Sequence, residues 1–78
     1  MGKSDMEEIY IKTDYINLMQ LLKLSGAASC GGAAKLLIDE KKVLVNGEPE
    51  LKKRRKLYDG FIVETCGKKY KIIKQNAD

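Results

Sequence analysis

Two stretches of this chain carry residues whose types and spacing could do chemistry. One is a run of five consecutive cations, Lys52-Lys53-Arg54-Arg55-Lys56. The other is a glycine pair opening a helical segment, Gly31-Gly32-Ala33-Ala34-Lys35. A helix start presents free backbone N–H groups and partial positive charge to an anion. The cation run offers mobile positive charge to the same anion. Five adjacent like charges repel one another, and an anionic partner relieves that repulsion. Together the two features fit a row of phosphates, which points to nucleic acid. Most charge runs are merely solvated loops. This one lies between two strand-like segments instead of in a tail, so a hairpin edge would hold its side chains on one side.

Other chemistries find few residues. The chain has no His, so Ser29 and Cys30 lack a base to activate them. Asp39, Glu40, Glu48 and Glu50 stand beside lysines and read as exposed ion-pair partners, not as an acid–base pair in a pocket. The spacing Gly26-x-x-x-x-Gly31 matches the first half of a phosphate-binding loop. Gly32 and Ala33, however, stand where a Lys and a Ser or Thr would reach the phosphates and magnesium, so nucleotide hydrolysis is rejected. Cys30 and Cys66 are too few, without His, to complete a four-ligand zinc site. They are expected as small buried hydrophobes and not as a disulfide. The expectation is a non-enzymatic protein with no metal and no cofactor.

Length and charge narrow the class further. With 78 residues the chain is expected to be one domain, residues 1–78, with a core over about 8–73. One Phe, four Tyr and no Trp make that core aliphatic. A domain this small buries only about 60% of its unfolded surface, which leaves little room for an enclosed active site. The net charge is +4, but it is unevenly spread: residues 1–20 carry −2, residues 21–40 balance, residues 41–60 carry +4 and residues 61–78 carry +2. Such a gradient reads as a patch for a polyanion. The start, Met1-Gly2-Lys3-Ser4-Asp5, does not resemble a signal peptide, and no stretch approaches a membrane span. A cytoplasmic, reducing compartment and no membrane association are therefore expected.

The elements that must position the cations follow from periodicity. Residues 1–6 are expected to fray and 75–78 to form a polar tail. Glu8 to Lys12 alternates as a short strand. Thr13 or Asp14 can cap a helix over about Tyr15–Leu24, with Ile16, Leu18, Met19, Leu21, Leu22 and Leu24 on its apolar face and Asn17, Gln20 and Lys23 in solvent. Ser25-Gly26 ends it. A second helix begins at Ser29 or Cys30 and turns Ala34, Leu37 and Ile38 to the core. Its glycine pair would let another backbone or a ligand approach. Val43 to Val45 and the Asn46-Gly47 turn start a β-ribbon, continued by Glu48-Pro49-Glu50 with Pro49 at an edge. After the cations come a turn at Leu57–Gly60, a strand from Phe61 to Glu64, a turn at Cys66-Gly67 and a last strand from Lys68 to Ile73. The order is β-α-α-β-β-β, an α+β domain. Phe61 is expected in the core, and Tyr58, beside the cations, is the best candidate for stacking on a base.

These motifs resemble the S4-type RNA-binding domain. The segment from Leu18 to Gly26 resembles its first helix and that from Gly31 to Ile38 its second. Val43-Leu44-Val45-Asn46-Gly47 resembles its Val-x-Val-Asn-Gly signature, and Leu57–Val63 its closing turn and strand. The likeness covers about residues 8–65. Within the family it is similar to small stand-alone bacterial members of the YaaA/YbcJ type. The resemblance implies a two-helix αL motif packed on a small, mainly antiparallel sheet, binding structured RNA such as ribosomal RNA or tRNA; the ribosome is an expected partner and a monomer the expected state. Lys23, Gly31, Gly32, Lys35, Asn46, Lys52, Lys53 and Lys56 fall on matching positions; Lys42, Arg54 and Arg55 join them as phosphate contacts by charge and place. Two positions depart from the wider family. Gly31 replaces a frequent Arg, which shifts recognition towards backbone, and Lys41 stands where others have glycine. The competing expectation is a protein-interaction module, docking by the same cations on an acidic ribosome-associated or assembly partner.

Overall fold

A computed structural model of the chain describes residues 6–75. The strands are β1 (Met6–Ile11), β2 (Tyr15–Asn17), β3 (Val43–Val45), β4 (Glu48–Pro49), β5 (Lys56–Tyr58), β6 (Ile62–Thr65) and β7 (Lys68–Lys74), and the helices α1 (Leu18–Leu24) and α2 (Gly31–Asp39) fall between β2 and β3. Five strands form one sheet in the order β1-β7-β6-β3-β4, and β2 and β5 form a separate ribbon. Every pairing is antiparallel except β1 with β7, which run parallel with Ile9 opposite Ile72. This is the expected α+β architecture, two helices on a mainly antiparallel sheet. The expected fraying at 1–6 and tail at 75–78 lie outside the described residues, apart from Met6, which belongs to β1, and Gln75, whose N–H donates to the Ile11 carbonyl at 2.7 Å.

Alternation along the strands sets the faces. Val43, Val45, Val63, Tyr70 and Ile72 are buried on one side of the sheet, while Leu44, Ile62, Glu64 and Lys71 lie on the other. Leu18, Leu21 and Leu22 of α1 and Ala34 and Ile38 of α2 pack on the buried side, joined by Leu57 of the ribbon. Two hairpins close with left-handed residue pairs: Asn46 (φ 53°) with Gly47 (φ 89°), and Cys66 (φ 52°) with Gly67 (φ 76°). Primed two-residue turns need this geometry because it matches the strand twist. Pro49 lies on edge strand β4, where a missing N–H costs nothing.

The start of the first helix differs from expectation. Residues Tyr15–Asn17 are not helical but pair with β5, Tyr15 opposite Tyr58 and Asn17 opposite Lys56. Neither Thr13 nor Asp14 caps α1. Asn17 does: its Oδ1 accepts the Gln20 N–H at 2.8 Å, and Gln20 Oε1 accepts the Asn17 N–H at 3.3 Å. This capping box starts the helix three residues late, since Tyr15 and Ile16 gain a strand partner that local periodicity cannot reveal. Thr13 donates to the Tyr15 carbonyl at 2.7 Å. Asp14 pairs with Lys74 at 2.7 Å, which holds its carboxyl below the usual carboxylate range. Leu24, expected on the apolar face, is exposed. The order therefore becomes β-β-α-α followed by five strands.

The cysteines are also corrected: Cys30 and Cys66 are both free and both exposed. Cys66 occupies the left-handed corner of a hairpin, and Cys30 is the extended N-cap of α2, so neither position faces the core.

Lys41, just past the end of α2, has φ 60°. A side chain there crowds the next carbonyl. Lys41→Gly is expected to raise stability by roughly 0.5–1 kcal/mol, the relieved strain less glycine's greater unfolded entropy. Urea unfolding followed by circular dichroism checks this; an unchanged or lower midpoint would contradict it.

Candidate nucleic-acid interface

A seven-residue helix such as α1 cannot sustain itself, and the amides at its start need partners. The cation loop supplies them. Leu18 N–H donates to the Arg55 carbonyl at 2.9 Å and Met19 N–H to the Lys53 carbonyl at 3.1 Å. With the Asn17–Gln20 box, all the amides at the helix start are taken. The cost of leaving such groups unpaired, about 1–3 kcal/mol each when buried, is what latches the loop to α1.

Glu50 closes the loop from inside. Its N–H donates to the Val43 carbonyl at 3.0 Å, its Oε2 accepts the Lys52 N–H at 3.1 Å, and its Oε1 lies 3.8 Å from Arg55 Nε. Arg55 N–H donates to the Lys52 carbonyl at 3.2 Å, making a tight turn through Lys53 and Arg54. The cation run is thus an ordered turn, not a drifting loop. Its side chains divide. Arg55 lies over the Phe61 ring (5.7 Å) and Lys56 Nζ over the Tyr15 ring (4.9 Å). Lys52, Lys53 and Arg54 are exposed with no carboxylate partner among the described residues.

The start of α2 adjoins this loop through Met19. A Cβ placed on Gly31 would meet the Met19 methyl at 3.9 Å, and one on Gly32 would meet the Cys30 sulfur at 4.0 Å. Both are ordinary contacts, so close helix crossing does not require this glycine pair. Gly31 therefore sits on one side of Met19, and Lys53 bonds its backbone on the other. Lys23 lies close enough to Cys30 to attract its thiolate. Lys35 is exposed one turn beyond Gly31.

Lys42 and Asn46 are placed differently. Lys42 lies past the far end of α2, paired with Glu40 at 3.1 Å and next to the Val43 carbonyl that anchors the loop. Asn46 is at the opposite end of β3. Its Oδ1 accepts the Ile62 N–H at 3.0 Å and its N–H donates to the Ile62 carbonyl at 2.8 Å, so it serves the hairpin. Tyr58 is exposed and packs between Tyr15 and Phe61, with ring centroids 5.8 and 5.7 Å away. Phe61 is half-buried against the core.

Glu50, expected as an exposed partner of lysines, is half-buried and holds the loop together, and the Leu18–Met19 amides escaped the sequence reading. Glu50 had a signal, a carboxylate two residues before the cations. The latch had none, because it joins backbone atoms more than thirty residues apart.

Cys30 carries a chemical consequence. Its thiol makes no capping hydrogen bond, but the amides of Ala33 and then Gly32 favour the thiolate, with smaller help from Ser29 and Lys23 against a desolvation penalty. The pKa is lowered. Alkylation of Cys30 by iodoacetamide should therefore reach half its maximal rate at a lower pH than the ordinary thiol of the urea-unfolded chain. Mass spectrometry of the peptide across pH measures this, and a midpoint at or above the ordinary value would refute it.

Among the described residues, no helix is long and apolar enough to cross a membrane, and no cluster of three or more His, Cys, Asp or Glu is placed to hold a metal.

Comparison with known proteins agrees with this geometry. The S4 domain family model matches residues 9–73. The chain is 48% identical over 59 residues to the probable ribosome maturation protein RlbA of Bacillus subtilis, covering 76% of this chain and 83% of that protein. It is 36% identical over 62 residues to the putative RNA-binding protein YbcJ of Escherichia coli, covering 80% and 89%. The solution structure of E. coli YbcJ, which reveals an αL motif involved in RNA binding, superposes with a TM-score of 0.64 at 32% identity, covering 94% of this chain and 91% of that one.

Proposed function

Because the chain belongs to the S4 domain family, we propose that it binds structured RNA through the latched cation loop and the adjoining start of α2, without catalysing a reaction. The observation that carries this reading is the ordered turn, which holds Lys52, Lys53 and Arg54 exposed on a fixed backbone, with no carboxylate partner among the described residues. With the loop backbone already ordered, phosphate binding has only the side chains left to order. Lys23, Lys35 and Lys42 extend the positive surface, and the α2 amides at Gly31 and Gly32 add backbone donors. Few side chains here can read base edges, so recognition is mainly of RNA shape and phosphate. The name of YbcJ, a putative RNA-binding protein, supports RNA as the ligand, and that of RlbA, a probable ribosome maturation protein, favours ribosomal RNA among RNAs. The protein acts as a cytoplasmic monomer on this reading.

The test is fluorescence anisotropy with a structured ribosomal RNA fragment across salt. Neutralising about five phosphates gives a log–log slope of about −3.5 to −4.5. A salt-independent interaction, or capture of a protein partner that survives ribonuclease, would favour the docking module instead.

A further inference from the structure

The proposed interface touches one large surface feature only through Lys23. An open groove of about 1060 Å³ lies between the end of β1, the β1–β2 turn and the outer side of α1; Tyr10, Lys12, Tyr15, Gln20, Lys23 and Leu24 line it. Its volume is at the top of the range of small-ligand pockets, roughly 300–1,000 Å³. Tyr10 is 51% exposed, Tyr15 42% and Leu24 60%, so large apolar groups meet water in one patch instead of singly.

The groove is continuous with the cation loop. Tyr15 and Tyr58 are cross-strand partners on the outward face of the β2–β5 ribbon, whose inward residues Ile16 and Leu57 pack in the core. Their rings lie 5.8 Å apart, Tyr58 lies 5.7 Å from Phe61, Arg55 covers Phe61 and Lys56 covers Tyr15. Rings interleaved with cations thus run from the loop to the groove on a rigid ribbon. Bases stack on such rings while their phosphates meet the cations. A duplex cannot use the row, because its bases are already stacked on one another.

We propose that this groove, entered over the Tyr15–Tyr58 ledge, binds unpaired nucleotides that continue from the structured RNA held at the cation loop. The inference rests on the RNA-binding reading and adds a ligand class to it. Bases lodge between Tyr10 and Tyr15, and Lys12 and Lys23 meet the phosphates. Gln20 gives its Oε1 to the Asn17 N–H and keeps its amide N–H groups for a base edge. Among the described residues Asp14 is the one carboxylate in the groove lining, and Lys74 pairs with it at 2.7 Å; at the rim the Tyr10 hydroxyl donates to Glu8 Oε1, which leaves the face of the Tyr10 ring to a base.

The test compares a blunt RNA hairpin with the same hairpin carrying a short unpaired adenosine tail at its 5′ or 3′ end, at matched salt. One tailed form is expected to bind at least about fivefold more tightly for each base stacked. In ring-labelled protein, the Tyr10 and Tyr15 resonances should move upfield with the tail only. Tyr15→Ala and Tyr10→Ala should abolish the tail increment while leaving blunt-hairpin affinity within about twofold, and Tyr15→Phe should keep it, since the ring face supplies the stacking. If Tyr15→Ala fails to fold, Tyr10→Ala on edge strand β1 carries the test. Equal, salt-dependent binding of blunt and tailed hairpins overturns the groove proposal and leaves the RNA interface standing. Binding of neither overturns both. Tyrosine shifts with a protein partner but not with tailed RNA assign the groove to protein and also overturn it.

Discussion

Replacing Lys52, Lys53 and Arg54 together by alanine is expected to weaken binding to a structured RNA by about 100- to 500-fold at about 0.1 M salt. Each phosphate contact contributes about 0.7–0.9 to the salt slope, which at that concentration is about five- to eightfold in affinity. The slope should fall to about −1.4 to −1.8, the value left by two contacts. Stability should hardly change, for two reasons. The three side chains are exposed, and the bonds that order the loop use the carbonyls of Lys53 and Arg55, which alanine retains. Relieving the mutual repulsion of the cations even favours folding slightly. Anisotropy titrations at several salt concentrations, with urea unfolding as control, measure both quantities. A loss of less than about fivefold, with the slope unchanged, would mean that the phosphates are held elsewhere.

Leu57→Ala is expected to do the reverse. Leu57 is fully buried and joins the β2–β5 ribbon to the core cluster that residues of both helices and the sheet share. Removing it leaves a cavity that should cost about 2–5 kcal/mol. A domain of this size has roughly 4–12 kcal/mol in total, so the variant should be close to unfolding. The ribbon also carries the loop, since Lys56 begins β5 and Arg55 bonds Leu18. Where the variant is still folded, its RNA affinity should change little, because the cations and their carbonyls are intact. A cost below about 1 kcal/mol would show that the ribbon is only loosely packed on the core.

The two variants separate what holds the surface from what the surface binds. The same division runs between sequence and structure. Hydrophobic period, turn chemistry and composition by themselves determined the α+β class, both helices, the two Asn-Gly and Cys-Gly corners, the edge position of Pro49 and the cation run. Each depends on residues close together in the chain, whose conformational preferences act locally. The segments Leu18–Gly26, Gly31–Ile38, Val43–Gly47 and Leu57–Val63 together also indicated the family. Only the tertiary structure decided the rest. Tyr15–Asn17 became a strand because Lys56–Tyr58, some forty residues on, offered it a partner. β1 ran parallel to β7 because the two ends of the chain meet at one sheet edge. The thiols came to the surface because a helix cap and a hairpin corner placed them there. The cations became an ordered turn because two orphan amides of a short helix took their carbonyls. Backbone hydrogen bonds between distant segments leave no trace in residue type, so no local pattern could announce them.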